Sequence, residues 1–141
     1  MCFKDVGAHQ FDQAASACTS AGGKLLSPRN ANDLADLRNV IKAFGKDAVW
    51  LDGSDAEAGS DDEADENWKT STGFKVPFLD WNDNEPNGGQ DENCLEFGAD
   101  SLMNDKFCSH VGNVICQKPT FIGKLLNNFN QAQIPDNPTV N

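Results

Sequence analysis

Between residues 11 and 44 the apolar positions of this chain recur at helical intervals. In FDQAASACTSAGGKL, Phe11, Ala14, Ala15 and Cys18 fall on one face, predicting a first helix that Gly22 and Gly23 bring to a stop. A second predicted helix carries Leu34, Leu37, Ile41 and Phe44 at three- and four-residue steps. Asn30 or Asn32 would cap its start, and Gly45 closes it. Both stripes read as core packing. From Val49 onward the helical period is lost. The runs AVWL, NWKT, VPFLDW, CLEF and NVICQ, bounded by Gly, Pro, Asn and Asp, predict short strands between long loops. Two helices followed by a set of strands give an α+β domain. After Lys118 the character shifts again. PTFIGKLLNNFNQAQ sets Phe121, Leu125 and Phe129 at four-residue intervals, a weak amphipathic helix expected to pack on its own chain, and IPDNPTVN is expected to fray. The predicted organisation is a body of residues 1–118 and a tail of residues 119–141.

A loop-rich middle is costly to order unless something ties it down. Five cysteines, at 2, 18, 94, 108 and 116, supply one kind of tie. None forms a CxxC pair, which argues against zinc knuckles and thioredoxin-like redox chemistry and for disulfides in an oxidising compartment. Two bridges and one leftover thiol allow 15 connectivities, and spacing alone does not choose among them. No apolar run approaches the ~18 residues of a membrane span. No leader-like segment precedes Cys2, so a mature, secreted sequence behind an initiator methionine is expected.

The 141 residues suggest one domain with a real core, and a 38% hydrophobic share is ordinary for a globular chain. A formal net charge of −11, with no basic cluster, makes nucleic acid an unsuitable partner. The acidity is concentrated in DGSDAEAGSDDEADE, residues 52–66, which holds eight Asp or Glu and no base. A block of this kind reads first as a solvated loop and second as a cation site. NEPNGGQDENC, residues 84–94, is different. It crowds Glu85, Asn87 and Glu92 around a proline and two glycines, with more side-chain oxygen than a turn requires. Carboxylate and amide oxygens are the ligands of hard cations such as calcium.

With these pieces placed, roughly residues 3–118 resemble a C-type lectin-like domain of the collectin branch. AxxxCxxxGGKLLSP (Ala14–Pro28) resembles that branch's first helix and the start of its next strand. Trp50 heads WLDG, where the family usually has WIGL. Gly73 of a TG pair lies eight residues before Trp81, and EPN follows that tryptophan after three residues. Cys94 to Asn104 is ten residues, Asp105 to Cys108 three, and Cys108 to Cys116 eight, in step with the family. Met103 stands where the family has a tryptophan before ND.

The resemblance implies Cys18–Cys116 and Cys94–Cys108 bridges, a cis peptide before Pro86, and a calcium ion held by Glu85, Asn87, Glu92, Asn104 and Asp105. The same five residues would bind carbohydrate, two neighbouring sugar hydroxyls completing the ion's coordination. In the family EPN goes with mannose, glucose, N-acetylglucosamine and fucose, and QPD with galactose, so a mannose-type glycan is the expected partner and glycan recognition in innate defence the expected role. Asp61 and Asp65, or Asp55, are candidates for a second calcium site. Gly88 and Asn93, where some relatives have acids, argue against that site being complete. Cys2 and the tail are the candidate means of forming a homodimer or larger oligomer.

Three other readings carry less. His9 and His110 have no motif-placed nucleophile beside them, and His110 reads as a surface residue more readily than as a sugar contact. A glycosidase also uses paired carboxylates, but carboxylates spent on calcium make poor acids or bases, so no enzyme is expected. A lectin-like fold adapted to ice, mineral or protein binding would not need the five oxygen ligands.

Overall fold

The computed structural model describes residues 2–58 and 64–119. Along the chain run β1 (Cys2–His9), α1 (Phe11–Ser20), β2 (Lys24–Leu25), α2 (Ala31–Ala43), β3 (Ala48–Ser54), β4 (Cys94–Gly98), β5 (Met103–Lys106) and β6 (Gly112–Lys118). Two 3-10 turns, Ala56–Ala58 and Asp65–Asn67, lie between β3 and β4. The strands make two antiparallel sheets, ordered β1-β6-β2 and β3-β4-β5. The expected α+β architecture is present.

Both helices end as their caps dictate. At the end of α1, Gly23 N–H donates to Cys18 O at 2.9 Å, and Gly22 takes the left-handed φ of +81° that this turn needs. Asn30 caps α2, its side-chain oxygen accepting the Asp33 N–H at 2.8 Å. Leu34, Leu37 and Ile41 face the core. Phe44, placed by its spacing on that stripe, is instead the C-cap residue and 38% exposed, because the turn at Gly45 rotates it off the buried face.

Strand β3 divides the core. Val49 and Leu51 join Leu26, Leu34, Ile41, Leu95 and Phe97 on one side, while Trp50 packs on the other with Ala14, Val114 and Cys18–Cys116. Val49, Trp50 and Leu51 are therefore buried in succession, as a strand covered on both faces requires. Trp50 Nε1 donates to His9 O at 2.9 Å, and its ring meets Phe11 edge-on at 5.5 Å. Both bridges implied by the resemblance are formed, Cys18–Cys116 and Cys94–Cys108, and Cys2 is exposed and unbridged.

Two predicted strands are not strands. NWKT and VPFLDW make only isolated bridges, Lys69 with Ser54 and Lys75, and Trp81 with Met103. Their apolar residues mark burial, not ladder pairing. Trp68 is fully buried, and Trp81 packs edge-on against it at 5.1 Å. Conversely, β1 and β5 have no counterpart among the predicted runs, and a strand therefore precedes the first helix. CFKDVGAH is an edge strand with no fully buried residue and a bulge between Asp5 and Ala8, so it lacks a clear alternating pattern. The tail helix predicted around Phe121, Leu125 and Phe129 lies outside the described residues.

The two bridges close loops of very different length, 98 residues for Cys18–Cys116 and 14 for Cys94–Cys108. In the chain-entropy picture these contribute about 4–5 and about 3 kcal/mol. Replacing Cys18 and Cys116 together by alanine is accordingly expected to lower the unfolding free energy more than replacing Cys94 and Cys108, as denaturant titration of the two double variants will measure.

Candidate functional site

The loop carrying Glu85, Asn87 and Glu92 is fastened to β5 at its base and at its tip. At the base, Met103 N–H donates to Asp80 O and Asn82 N–H to Met103 O, both at 2.9 Å, and Leu102 N–H donates to Asn82 Oδ1 at 2.7 Å. Asn84 then takes φ +67°, a left-handed conformation that asparagine tolerates better than most residues, and the Glu85–Pro86 peptide is cis. At the tip, the fully buried Asp105 carboxylate accepts the N–H of Asn87 on both oxygens at 3.1 Å and that of Gly88 on Oδ2 at 2.7 Å. The turn ahead of β5 is held from behind. Arg38 Nη1 donates to the carbonyls of Gly98, Ala99 and Ser101, and the guanidinium lies 4.9 Å from the centre of the Phe97 ring.

Glycine at 88 has a purpose that the sequence alone did not disclose. A Cβ there would fall 2.3 Å from Glu92 Cβ and 2.5 Å from Glu92 Oε1. The Glu92 side chain therefore lies directly over Gly88, and an acid at 88 would not fit this arrangement. Burial pushes the Glu92 carboxyl above its usual range, and the neighbouring charge of Asp105 pushes it the same way, with Lys106 partly offsetting both. Two carboxylates held near each other at partial burial repel. An oxygen-seeking cation between them would relieve that repulsion.

Of the five expected ligands, the structure brings Asn87, Glu92 and Asp105 together directly. Glu85 is half-buried in the same loop, with Oε2 shielded from solvent. Asn104 precedes Asp105 on β5, where it is half-buried and pairs with Glu96. Among the described residues no three His, Cys, Asp or Glu side chains gather tightly enough to form a metal cluster by themselves. The donor set still fits calcium in its chemistry: carboxylate and amide oxygens throughout, and no nitrogen or sulfur ligand.

The remaining candidates lie elsewhere. Asp65 is exposed and accepts the Trp81 Nε1–H at 3.1 Å, Asp55 is buried beside the Asn93 backbone, and Asp61 lies outside the described residues. His110 Nε2 sits 3.7 Å from Glu96 Oε2 and edge-on to Trp50, while His9 is bonded to Val6 O.

Comparison with known sequences decides the family. The profile of the family described as "Lectin C-type domain" matches residues 7–118. The chain belongs to the C-type lectins. Its lectin domain is 34% identical to bovine pulmonary surfactant-associated protein D over 117 residues, covering 82% of this chain and 30% of that protein. The chain spans about half or less of the length of the curated relatives it matches. Among solved structures it resembles the mouse scavenger receptor C-type lectin carbohydrate-recognition domain, with a TM-score of 0.68, 21% identity and coverage of 82% of this chain and 85% of that one. It also resembles herring type II antifreeze protein, with a TM-score of 0.67, 21% identity and coverage of 84% and 91%. At such identities these likenesses show the fold. A further relative, 31% identical over 115 residues, is bovine C-type lectin domain family 3 member A, and no helix among the described residues is long and apolar enough to cross a membrane.

The sign of the Glu92 effect gives a test in calcium-free buffer. A carboxyl whose value is raised by folding favours the native state while protonated, and that contribution is lost as pH rises through the raised value. Glu92→Gln removes the ionised group, so with EDTA at pH 7 the variant is expected to melt higher than the parent. The difference should shrink as pH falls through the Glu92 titration. A lower melting temperature for Glu92→Gln at pH 7 would contradict the repulsion.

Proposed function

We propose that this lectin domain binds carbohydrate in a calcium-dependent way at the 84–94 loop and β5, with a preference for mannose-type and fucose glycans. The observation that carries the reading is the linkage of Asp105 to the Asn87 and Gly88 amides with Glu92 held alongside, which assembles oxygen donors of the kind calcium takes. Glu85, Asn87, Glu92, Asn104 and Asp105 would hold the ion. Bound calcium supplies open coordination positions that two neighbouring sugar hydroxyls can fill. The protein's own part is to orient those hydroxyls. Glu85 and Glu92 would accept hydrogen bonds from them, and the amide NH₂ groups of Asn87 and Asn104 would donate to their oxygens, so each hydroxyl is used in both directions. The order Glu-Pro-Asn puts acceptor before donor, which underlies the choice of mannose-type over galactose-type hydroxyl pairs.

The two disulfides suit an extracellular setting, and recognition of microbial or host glycans is the role in view. Single shallow sugar sites bind weakly, so useful avidity calls for several copies, with Cys2 as one means of linking them. The structural likeness to an antifreeze protein is a likeness of fold, and the five oxygen-bearing side chains favour the sugar reading over that use.

Three measurements test this reading. Calcium at a hundred times its dissociation constant is expected to stabilise the domain by about 2.7 kcal/mol, a rise in melting temperature on the order of 10 °C. Retention on mannose-agarose should require calcium and be lost in EDTA. Retention on neither mannose- nor galactose-agarose would refute the sugar reading, and retention on galactose alone would refute the EPN preference. Asn87→Asp removes an amide donor and is expected to weaken mannose binding roughly 2- to 10-fold, in line with about 0.5–1.5 kcal/mol for a hydrogen bond between neutral groups.

A further inference from the structure

Helix α2 contributes no ligand to the proposed site, yet it sends one charged side chain to the connection that leads into β5. Arg38 Nη1 donates to three carbonyls there, Gly98 O at 3.2 Å, Ala99 O at 2.9 Å and Ser101 O at 2.7 Å. The residue is half-buried, with its guanidinium over the Phe97 ring. Among the described residues no carboxylate forms an ion pair with it. Its charge is therefore spent on backbone dipoles. Hydrogen bonds to a charged donor are stronger than neutral ones, and carbonyls drawn to one nitrogen repel each other once it is gone. A second residue of α2, Lys42, reaches the same turn through Asp100 at 3.2 Å, but both partners are largely exposed and such a pair holds little.

The turn that Arg38 holds bears on both ends of the 84–94 loop. At the loop's base, Leu102 N–H donates to Asn82 Oδ1 at 2.7 Å and Met103 N–H to Asp80 O at 2.9 Å. At its tip, Asp105, four residues after Ser101, accepts the Asn87 and Gly88 amides. A shift of the turn is thus passed to base and tip together. The Asn87 bonds, at 3.1 Å, already stand near the long end of the usual range of about 2.7–3.2 Å, so little further displacement is tolerated.

We propose that Arg38 is a positioning residue for the binding face: by gathering the carbonyls of the β4–β5 turn it sets where Asp105 meets the Asn87 and Gly88 amides. Its effect on calcium affinity rests on the function proposed above; its effect on the loop does not. The sign of the calcium effect is diagnostic. Through-space electrostatics alone would make removal of a positive charge tighten cation binding. Positioning makes the same removal weaken it.

Two measurements on the full chain test this. In EDTA, amide exchange at Asn87 and Gly88 is compared with exchange at residues 49–51 of β3, which report opening of the whole domain. Arg38→Met keeps an unbranched side chain without the donors, and is expected to speed Asn87 and Gly88 exchange about 3- to 30-fold over that reference. Calorimetric titration should then show the calcium dissociation constant raised by a similar factor. Arg38→Lys returns a charged donor and is expected to recover part of both losses. Ile41→Val, which loosens the buried face of the same helix, should lower the melting temperature and leave both readouts unchanged.

Unchanged Asn87 and Gly88 exchange in Arg38→Met overturns the proposal, and so does a calcium constant that stays the same or falls in that variant. Ile41→Val reproducing either effect overturns it in favour of general destabilisation. No recovery with lysine assigns the effect to guanidinium packing on Phe97 and equally overturns it. A parent chain that binds no calcium refutes the proposed function, whereas the exchange comparison still decides the role of Arg38.

Discussion

The buried carboxylate of Asp105 is the constraint on which the binding face depends. A fully buried charge is tolerated only when strong donors surround it, and here the donors are the Asn87 and Gly88 amides. The same bonds fix where the loop lies. The loop in turn carries Glu85 and Asn87, so one buried side chain positions others of the proposed site. Asp105 is itself held on a strand whose leading turn is gripped by Arg38. Strength passes from helix α2 through that turn to β5 and then to the loop.

That arrangement also explains an economy of glycine. Gly88 is not required here by a left-handed backbone; it is required because Glu92 occupies the space above it. Acidity in this loop is thus limited by volume as well as by charge. A chain that placed a further acid at 88 would have to move Glu92, and with it the carboxylate pair that makes the site attractive to a cation.

Much of this was legible in the sequence, and the parts that were not have physical causes. The helices announced themselves, because one buried face forces a 3.6-residue period and Gly22, Asn30 and Gly45 mark their ends. The bridges could be paired only by resemblance, since spacing does not encode contact. Strand β1 escaped notice because an edge strand with no fully buried residue has little pattern to show. Trp68 and Trp81 misled in the opposite direction: they are buried by loops that curl over the core, and an apolar run signals burial before it signals geometry. At the site, residue types named the chemistry. The direction of the Asp105 oxygens and the pairing of Asn104 with Glu96 depended on register, which a sequence does not carry.

One consequence of the sheet arrangement concerns how such a unit is built into larger molecules. Cys2 and Lys118 face each other across the β1–β6 ladder, so both crossings between this body and whatever adjoins it lie at a single seam. Strand β5, to which the loop is fastened, belongs to the other sheet. Polypeptide spliced in at that seam need not stretch around the domain or drape over its recognition surface, so the unit can be inserted like a plug, changing what carries it without changing what it touches.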